Sequence, residues 1–383
     1  MIFFSDTAPL YFYSSIYSTL PEGSPKDELE GLVLKKILLN FIFGPSSSSS
    51  RQSRYLQGGA HKIFLLCGSL LLTNPMYGIT MNNFYKDLNV VVTGGCGFIG
   101  SHLATTLVEL GAHVTIIDDL STGTIENIAT IKDKITFINK SIVDKQACLE
   151  ATKDAAIIFH LAAFISVPQS LEQPEMCHAT NVDGLVHILE AARINGVGRL
   201  VFSSSSAVYG NNEGACAEDS LTNPESPYGY SKLIGELYCQ QYAKNFGINA
   251  VICRYFNVYG ERQNPNGAYA AVIAKFMHQL KNNLPMTIFG DGLQTRDFIP
   301  VAQVVQANLK LGMLAPTIAG QVFNIATGKS ITLLALVDQL KKDFPTYHNP
   351  LNFAPARAGD LKYSTANCAK YYRAIASLPY INL

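Results

Sequence analysis

The sequence predicts an α/β protein in which a doubly wound parallel sheet is combined with a smaller C-terminal α/β domain. Two observations carry this prediction. Between residues 89 and 205, short β-branched runs alternate with stretches of helical periodicity, a pattern typical of parallel strands joined by crossover helices. The first run also ends in a glycine-rich turn, and a helical pattern begins directly after that turn.

The composition is that of a globular chain without charge bias. The chain has 383 residues, of which 48% are hydrophobic and 15% charged, enough for a large core or two domains. Lysine and arginine together number 29, as do aspartate and glutamate. This balance gives no indication of nucleic acid or of an anionic membrane surface as a partner.

Eight cysteines are spread along the chain without the spacing of a disulfide framework or a metal site. They form no Cys-x-x-Cys pair, no histidine cluster lies at ligand spacing, and several, such as Cys253, fall within apolar runs. We therefore expect buried free thiols, no bound metal and a reducing, cytoplasmic location.

Residues 1–80 differ from the rest of the chain. They contain a run of five serines and two apolar runs, Leu32–Phe43 and Ile63–Leu72. Both are shorter than the ~18 residues of a membrane-spanning helix, and the second begins too far into the chain for a secretory signal. We interpret this stretch as a disordered or misassigned extension, with the functional start near Met81; a transit peptide is the alternative.

The glycine-rich turn is the first candidate binding site. The run Asn89–Thr93 leads into Gly94, Gly97 and Gly100, and a helical pattern closed by Gly111 follows. Glycines allow the backbone to approach a pyrophosphate, which binds among the unpaired N–H groups of the helix N-terminus. The strand, turn and helix together predict a dinucleotide site of the Rossmann type.

An acidic residue at the end of the second strand indicates which dinucleotide is bound. The run His113–Ile117 ends at Asp118, 18 residues past Gly100. A carboxylate there would accept hydrogen bonds from both hydroxyls of the adenosine ribose and would repel a 2′-phosphate. The predicted cofactor is therefore NAD rather than NADP.

The remaining elements continue the alternation. We predict further strands at Lys134–Asn139, Ala156–Leu161, Arg199–Phe202 and Gln321–Ala326. We predict helices over Val143–Lys153, Glu175–Asn195, Gly267–Asn282, Val301–Leu314 and Thr332–Phe344, and a hairpin-like turn over Gly290–Phe298.

A serine-rich strand end and a Tyr-x-x-x-Lys pair predict the chemistry. Ser203–Ser205 ends the fifth strand, and Tyr228 and Lys232 lie one helical turn apart, so they share a face. Tyrosine has a pKa of about 10 in water, and a neighbouring lysine together with a positive nicotinamide ring would lower it. A serine hydroxyl can then relay the proton of a substrate alcohol. This set is suited to oxidising an alcohol by hydride transfer.

These motifs resemble the extended short-chain dehydrogenase/reductase family. They are Gly94-x-x-Gly97-x-x-Gly100, Phe159–Ala163, Asn181, Ser203–Ser205 and Tyr228-x-x-x-Lys232. Arg254–Gly260 is similar to the nucleotide-sugar branch of that family. Ser166-Val-Pro-x-Ser170 and Arg262–Ile273 resemble the UDP-N-acetylglucosamine 4-epimerases within that branch. The resemblance covers residues 84 to about 370.

The resemblance implies a set of site residues. Ser205, Tyr228 and Lys232 are expected to be catalytic. The residues expected to bind NAD are Gly94, Gly97, Phe98, Ile99, Gly100, Asp118, Ser121, Gly123, Ser141, Ile142, Leu161, Ala162, Ala163, Asn181, Tyr228, Lys232 and Tyr255. The residues expected to bind a UDP-sugar are Ser166, Ser205, Ser206, Tyr228, Asn257, Gln263, Ala271, Val272, Arg296, Arg357, Asp360 and Ser364.

The resemblance also implies a domain division and a second copy of the chain as partner. Residues 84–255 would form the NAD-binding domain, with 298–327 returning to it. Residues 256–297 and 328–383 would bind the nucleotide sugar, and the chain stops before the last helix usual in the family. The family forms homodimers, and the same is expected here.

Two residues depart from the family pattern. Ser141 stands where an aspartate usually receives the adenine amino group, so adenine binding is expected to be weaker. Ile165 stands where the most similar epimerases often have glycine, which narrows the sugar side of the site.

The leading interpretation is NAD-dependent epimerisation at C4 of a UDP-sugar, UDP-GlcNAc above all. UDP-glucose or UDP-glucuronate is the alternative substrate. A dehydratase or decarboxylase would need a further acid after the strand-end hydroxyl, where Ser206 and Ala207 stand. An NAD-binding regulator or inactive copy is the non-enzymatic alternative; the intact Tyr228 and Lys232 argue against the regulator, and the short C-terminus favours the inactive copy.

Overall fold

The structure, a computed structural model, describes residues 80–265, 272–314, 316–356, 362–376 and 378. The prediction for the N-terminal extension therefore lies outside the described residues.

The first half contains α1 Met81–Tyr85, β1 Asn89–Thr93, α2 Phe98–Glu109, β2 His113–Ile117, β3 Ile135–Ile138, α3 Lys145–Ala151, β4 Ile157–His160, α4 Val167–Glu172, α5 Pro174–His178, α6 Gly184–Ile194, β5 Arg199–Ser205 and β6 Ala215–Cys216. The second half contains α7 Pro227–Phe246, β7 Ala250–Tyr255, β8 Asn257–Tyr259, α8 Val272–Lys281, β9 Met286–Phe289, β10 Thr295–Pro300, α9 Val301–Met313, β11 Val322–Ile325, β12 Ser330–Thr332, α10 Leu333–Lys341, β13 Leu351–Ala354, β14 Thr365–Ala366 and α11 Ala369–Ala376.

A parallel sheet of seven strands lies at the centre, in the order β11-β7-β5-β4-β1-β2-β3. The strands are apolar runs because both faces of the sheet are covered. Helices α3, α6 and α7 pack on one face, in a core that includes Val91, Ile158, Leu185 and Phe202. Helices α2 and α9 contact each other on the other face. The predicted α/β fold with a doubly wound parallel sheet is confirmed.

Three small sheets lie outside this large one among the described residues. They are β12-β10-β8, β13-β9 and β14-β6. A separate core, which includes Phe276, Ile288 and Leu336, joins α8, β9 and α10. The domain division predicted from the sequence stays a prediction.

Two predicted elements were wrong in detail. The predicted hairpin over Gly290–Phe298 does not form, because β9 pairs with β13 whereas β10 pairs with β8 and β12. The predicted helix Glu175–Asn195 is interrupted by a π-helical turn at Ala179–Asp183, where Asn181 is held by side-chain contacts. Other boundaries shifted by a few residues; α3 begins at Lys145 because Asp144 accepts hydrogen bonds from the backbone N–H groups of its first turn.

The buried thiols were predicted correctly. The seven cysteines within the described residues are all buried, and none is paired with another. Within the same residues, no helix combines the length and the apolar character needed to cross a membrane.

Candidate active site

The glycine turn after β1 has no room for larger side chains. A Cβ atom on Gly100 would lie 2.1 Å from the carbonyl oxygen of Gly94, and one on Gly94 would lie 2.7 Å from Ala162 N. Gly94 also has a φ of 68°, a left-handed conformation that favours glycine. This tight turn leads through Gly97, the N-cap, into Phe98 and Ile99 at the start of α2.

The loop after β2 holds the glycine turn from the other side. The Asp118 carboxylate accepts hydrogen bonds from Cys96 N and Leu120 N, each at 2.8 Å. Asn127 Nδ2 donates to Cys96 O at 2.9 Å. Gly123 packs so closely that a Cβ atom there would lie 2.6 Å from the same oxygen. Asp118 therefore shapes the glycine turn, in addition to lying at the strand end where a ribose partner was predicted.

This arrangement fits the predicted dinucleotide. The first turn of α2 offers backbone N–H groups and the positive end of a helix dipole to a pyrophosphate. Each Asp118 oxygen accepts one backbone hydrogen bond and retains a lone pair for a ribose hydroxyl. Ser121 is exposed on the same loop.

The ends of β3 and β4 bring further predicted cofactor residues to this edge of the sheet. Leu161 N and Ala162 N both donate to Thr93 Oγ1 at the end of β1. That contact places the small residues Ala162 and Ala163 beside the glycine turn. Beyond β3, the Ser141 hydroxyl accepts from Val143 N at 3.4 Å. The Ile142 side chain is directed into the core against Gly184.

The predicted catalytic residues meet at the end of β5. Lys232 Nζ donates to Ser203 O at 2.9 Å and lies 5.9 Å from the centre of the Tyr228 ring. The Ser205 side chain lies close enough to the Tyr228 phenol to lower its pKa. Ser205 Oγ also accepts from Ala207 N at 3.2 Å, which fixes its position at the start of a 3₁₀ turn.

Burial changes the ionisation of this group. Burial raises the pKa of Tyr228 above its ordinary value, and the hydrogen bond with Ser205 only partly opposes that change. Burial also lowers the pKa of Lys232 to about 8. Burial, Ser205 and Cys177 are the influences on the pKa of Tyr228. The prediction that Lys232 together with a positive nicotinamide ring lowers it stays a prediction.

Two predicted cofactor residues have their side chains engaged within the protein. Both N–H groups of the Asn181 amide are used, by Phe164 O at 3.0 Å and Ser231 Oγ at 2.8 Å, and its Oδ1 accepts from Phe164 N at 2.7 Å. Tyr255 Oη donates to Asn308 Oδ1 at 2.7 Å and accepts from Ser203 Oγ at 3.1 Å. Their predicted contacts with NAD stay predictions.

Two residues predicted to bind the nucleotide sugar are in contact. Asn257 Nδ2 donates to Ser364 Oγ at 3.3 Å and to Asp297 O at 3.1 Å. Ser364 is only 8% exposed, so it is a buried residue of this region. The Asp297 carboxylate accepts from Ala366 N at 3.4 Å and thus holds the strand that follows Ser364.

The other predicted sugar residues are more scattered. Ser166 caps α4 by accepting from Gln169 N, Ser206 begins a 3₁₀ turn and Val272 begins α8. Gln263 donates to Val258 O, whereas its Oε1 is buried without a partner in the described part of the chain. Arg296 lies on β10, where its guanidinium donates to Thr295 O. Ala271, Arg357 and Asp360 lie outside the described residues.

Sequence reasoning missed three residues of this region. Ser170 and Ser231 contact the backbone of Tyr228, and Asp297 holds the strand next to Ser364. Ser170 lies in the quoted Ser-Val-Pro-x-Ser motif and Ser231 in the Tyr-Lys motif, so their positions were visible in the sequence. Their partners were not, because each contact joins segments that only the fold brings together.

Comparison with known proteins agrees with this geometry. Residues 90–326 match the NAD dependent epimerase/dehydratase family. A UDP-glucose 4-epimerase of Mycolicibacterium smegmatis is 37% identical over 77% of this chain and 95% of its own length.

Solved structures of epimerases are also similar to this chain. The UDP-N-acetylglucosamine 4-epimerase of Methanobrevibacter ruminantium M1, determined with UDP-N-acetylmuramic acid, has a TM-score of 0.71 and 37% identity over 77% of this chain and 94% of that one. The UDP-glucuronic acid 4-epimerase of Bacillus cereus, determined with UDP-glucuronic acid and NAD, has a TM-score of 0.71 and 32% identity over 77% and 95% of the two chains. The family match, these relatives and the glycine turn with Asp118 agree: the chain belongs to the NAD-dependent epimerase/dehydratase family of extended short-chain dehydrogenases/reductases.

Proposed function

We propose that this chain is a UDP-sugar 4-epimerase whose preferred substrates are UDP-GlcNAc and UDP-GalNAc. The observation that supports 4-epimerisation is the meeting of Ser205, Tyr228 and Lys232 at the end of β5. The relatives described above are named for three different sugars. The choice among those sugars is therefore argued from the residues of this chain.

Each catalytic residue has a distinct task in the proposed reaction. Tyr228 Oη removes the proton of the sugar 4-hydroxyl, and Ser205 Oγ bridges the two oxygens. The Lys232 ammonium, which Ser203 O holds in place, favours the phenolate form. NAD held by the glycine turn and Asp118 would supply the acceptor for the C4 hydride, and the 4-keto sugar would take that hydride back on its opposite face. Tyr228 gives its proton back to the C4 oxygen, so neither protons nor electrons are consumed.

The same residues disfavour elimination or decarboxylation. Both reactions need a further proton donor or acceptor beside the reacting carbon. The 3₁₀ turn Ser206–Tyr209, which follows Ser205, contains no carboxylate. A dehydratase or decarboxylase activity is therefore the weaker candidate.

Ser364 supports the choice of an N-acetylated sugar. The 4-keto sugar has to present both faces to the cofactor, so its 2-acetamido group sweeps through the pocket. Ser364 is buried beside Asn257, which is proposed to bind the UDP-sugar, and a tyrosine in its place would take up volume that the serine side chain does not occupy. Ile165, which was expected to narrow the sugar side of the site, is 61% exposed. A pocket with serine at this position accommodates the acetamido group.

Product analysis tests both levels of the proposal. We expect the purified protein to convert UDP-GlcNAc and UDP-GalNAc into each other faster than UDP-glucose and UDP-galactose.

Replacement Ser364→Tyr should abolish turnover of UDP-GlcNAc and spare that of UDP-glucose, because only the acetamido group needs the space. Ser364→Ala is the matched control, since it removes the hydroxyl and keeps the space. Equal loss on both substrates would remove Ser364 from the specificity argument. Retained NAD without turnover of any UDP-sugar would favour the inactive copy.

The proposed assembly is a homodimer. Its support is a group of exposed apolar side chains on α7, namely Tyr230, Leu237 and Tyr238. A second copy of the chain is proposed to cover this surface.

A further inference from the structure

The first turn of α7 carries the catalytic tyrosine of the proposed function, and its backbone N–H groups need partners from outside the helix. Ser226 is the N-cap, and its Oγ accepts from Gly229 N at 3.1 Å. Pro227 has no N–H group. The N–H group of Tyr228 is therefore the one that the cap leaves without a partner.

Ser170 supplies that partner from another helix. Tyr228 N donates to Ser170 Oγ at 3.1 Å, and the Ser170 hydroxyl donates to Val167 O at 2.6 Å. Because its proton is used by Val167, the oxygen presents its lone pairs to Tyr228. Ser170 is completely buried, so water has no access to replace it.

The carbonyl side of Tyr228 is held in the same way. Ser231 Oγ donates to Tyr228 O at 2.7 Å and accepts from Asn181 Nδ2 at 2.8 Å. Asn181 in turn contacts both backbone groups of Phe164. Both peptide groups of Tyr228 are thus anchored to the segment between β4 and α6, which does not belong to the large sheet.

We propose that Ser170 is a positioning residue for the general base, with the Asn181–Ser231 pair as its counterpart. The inference rests on the proposed role of Tyr228. The phenolic oxygen lies at the far end of a long side chain, so a small tilt of the helix end moves it away from Ser205. Misplacement of a reacting group by about 1 Å can cost ~100-fold in rate. Ser170 keeps the phenol against Ser205 without touching substrate or cofactor.

Replacement Ser170→Ala tests this role. We expect turnover to fall ~10-fold, part of the loss that a full misplacement causes, while KM for the UDP-sugar and the amount of retained NAD change less than ~2-fold. The pH–rate profile should move to higher pH, because a weaker contact with Ser205 removes an influence that lowers the pKa of Tyr228. A crystal structure of the variant should show the phenol displaced from Ser205.

Thr152→Val is the matched control for stability. Thr152 is also completely buried, and its hydroxyl accepts from Asn195 Nδ2 at 2.9 Å and donates to Cys148 O at 2.8 Å, at the end of α3 and apart from the site. We expect it to lower the melting temperature about as much as Ser170→Ala without changing turnover or the pH profile. If Ser170→Ala behaves like this control, or if its phenol stays in place, the proposal is overturned.

Ser231→Ala provides a second variant if Ser170→Ala does not fold. It frees the carbonyl side of Tyr228 and should give the same combination of lower turnover, unchanged KM and shifted pH profile. A loss of retained NAD in proportion to the loss of turnover would overturn the proposal, since the residue would then serve the cofactor site. The crystallographic comparison holds even if the wild-type protein turns over no UDP-sugar, so a failure of the proposed function is distinguishable from a failure of this inference.

Discussion

The predicted cofactor side and the predicted sugar side of the site are held in different ways. On the cofactor side, two neighbouring loops of one sheet contact each other through the backbone of Cys96, which Asp118 and Asn127 bind. On the sugar side, Asn257 and Ser364 lie on or beside short strands of two different small sheets. Asp297 contacts both strands, because its backbone oxygen accepts from Asn257 Nδ2 and its carboxylate accepts from Ala366 N.

Asp297 gathers hydrogen bonds from several segments. Its completely buried carboxylate accepts from Thr327 N at 2.9 Å, from Thr327 Oγ1 at 2.6 Å, from Gly328 N at 2.8 Å and from Ala366 N at 3.4 Å. A carboxylate buried without such partners would be strongly unfavourable. On the sugar side, buried side chains such as Asp297 connect separate small sheets, whereas on the cofactor side the side chains of Asp118 and Asn127 connect loops of one regular sheet.

The largest effect is expected where the two sides meet, at Tyr228. Replacement Tyr228→Phe should reduce turnover by at least ~100-fold, the usual contribution of a general base, because the phenyl ring keeps the packing and lacks the oxygen. Binding of the UDP-sugar and of NAD should change little, which equilibrium binding measurements on the variant would show. Near-normal turnover in this variant would contradict the proposed mechanism.

The same contrast decides how much the sequence could predict. The strands of the large sheet and Asp118 followed from local periodicity, because a parallel strand buried on both faces is an apolar run. The glycine turn was visible because its spacing and its conformation are properties of one short segment. The π-helical turn at Ala179–Asp183 and the missing hairpin before β10 were not, because side-chain contacts and pairing with distant strands determine them.

The site residues also divide into those that a local sequence pattern predicts and those that only the fold brings together. Tyr228 and Lys232 were predictable from their spacing, since four residues make one helical turn. The contact of Ser170 with Tyr228 joins residues 58 positions apart, and that of Asp297 with Ala366 joins residues 69 positions apart. Nothing in a local pattern indicates which buried oxygen will accept a hydrogen bond from so distant an N–H group.

The second prediction concerns a substitution that disturbs the sugar side of the site alone. In Asp297→Asn an amide N–H₂ group would face backbone donors that now reach a carboxylate oxygen. Hydrogen bonds to buried charged groups contribute about 1.5–3 kcal/mol, so KM for the UDP-sugar should rise at least ~10-fold. Retained NAD should be unchanged, because Asp297 makes no hydrogen bond to the glycine turn or to its partner loop.

Asp291→Asn is the control for this charge change. Asp291 lies in the exposed turn before β10 and accepts a hydrogen bond from Leu293 N. Its KM should stay within ~2-fold of the wild-type value, as expected for a surface substitution. A loss of NAD in Asp297→Asn as large as the rise in KM would show that the two sides are not independent.

The third prediction, with the smallest expected effect, concerns a substitution of Asp118 on the cofactor side. In Asp118→Asn one oxygen becomes an amide group, so a single acceptor remains for Cys96 N, Leu120 N and the ribose hydroxyls. Affinity for NAD, measured by calorimetry on the cofactor-free protein, should fall by several-fold rather than vanish, because the backbone N–H groups of α2 still bind the pyrophosphate. The ratio of NADP to NAD affinity should rise at the same time, since the charge that repels a 2′-phosphate is gone.

Asp144→Asn removes a charge from the same half of the chain and retains a good helix cap, so it should leave both affinities unchanged. If Asp118→Asn weakened NAD and NADP by the same factor, Asp118 would serve only to shape the glycine turn, and the choice of cofactor would have to come from another residue.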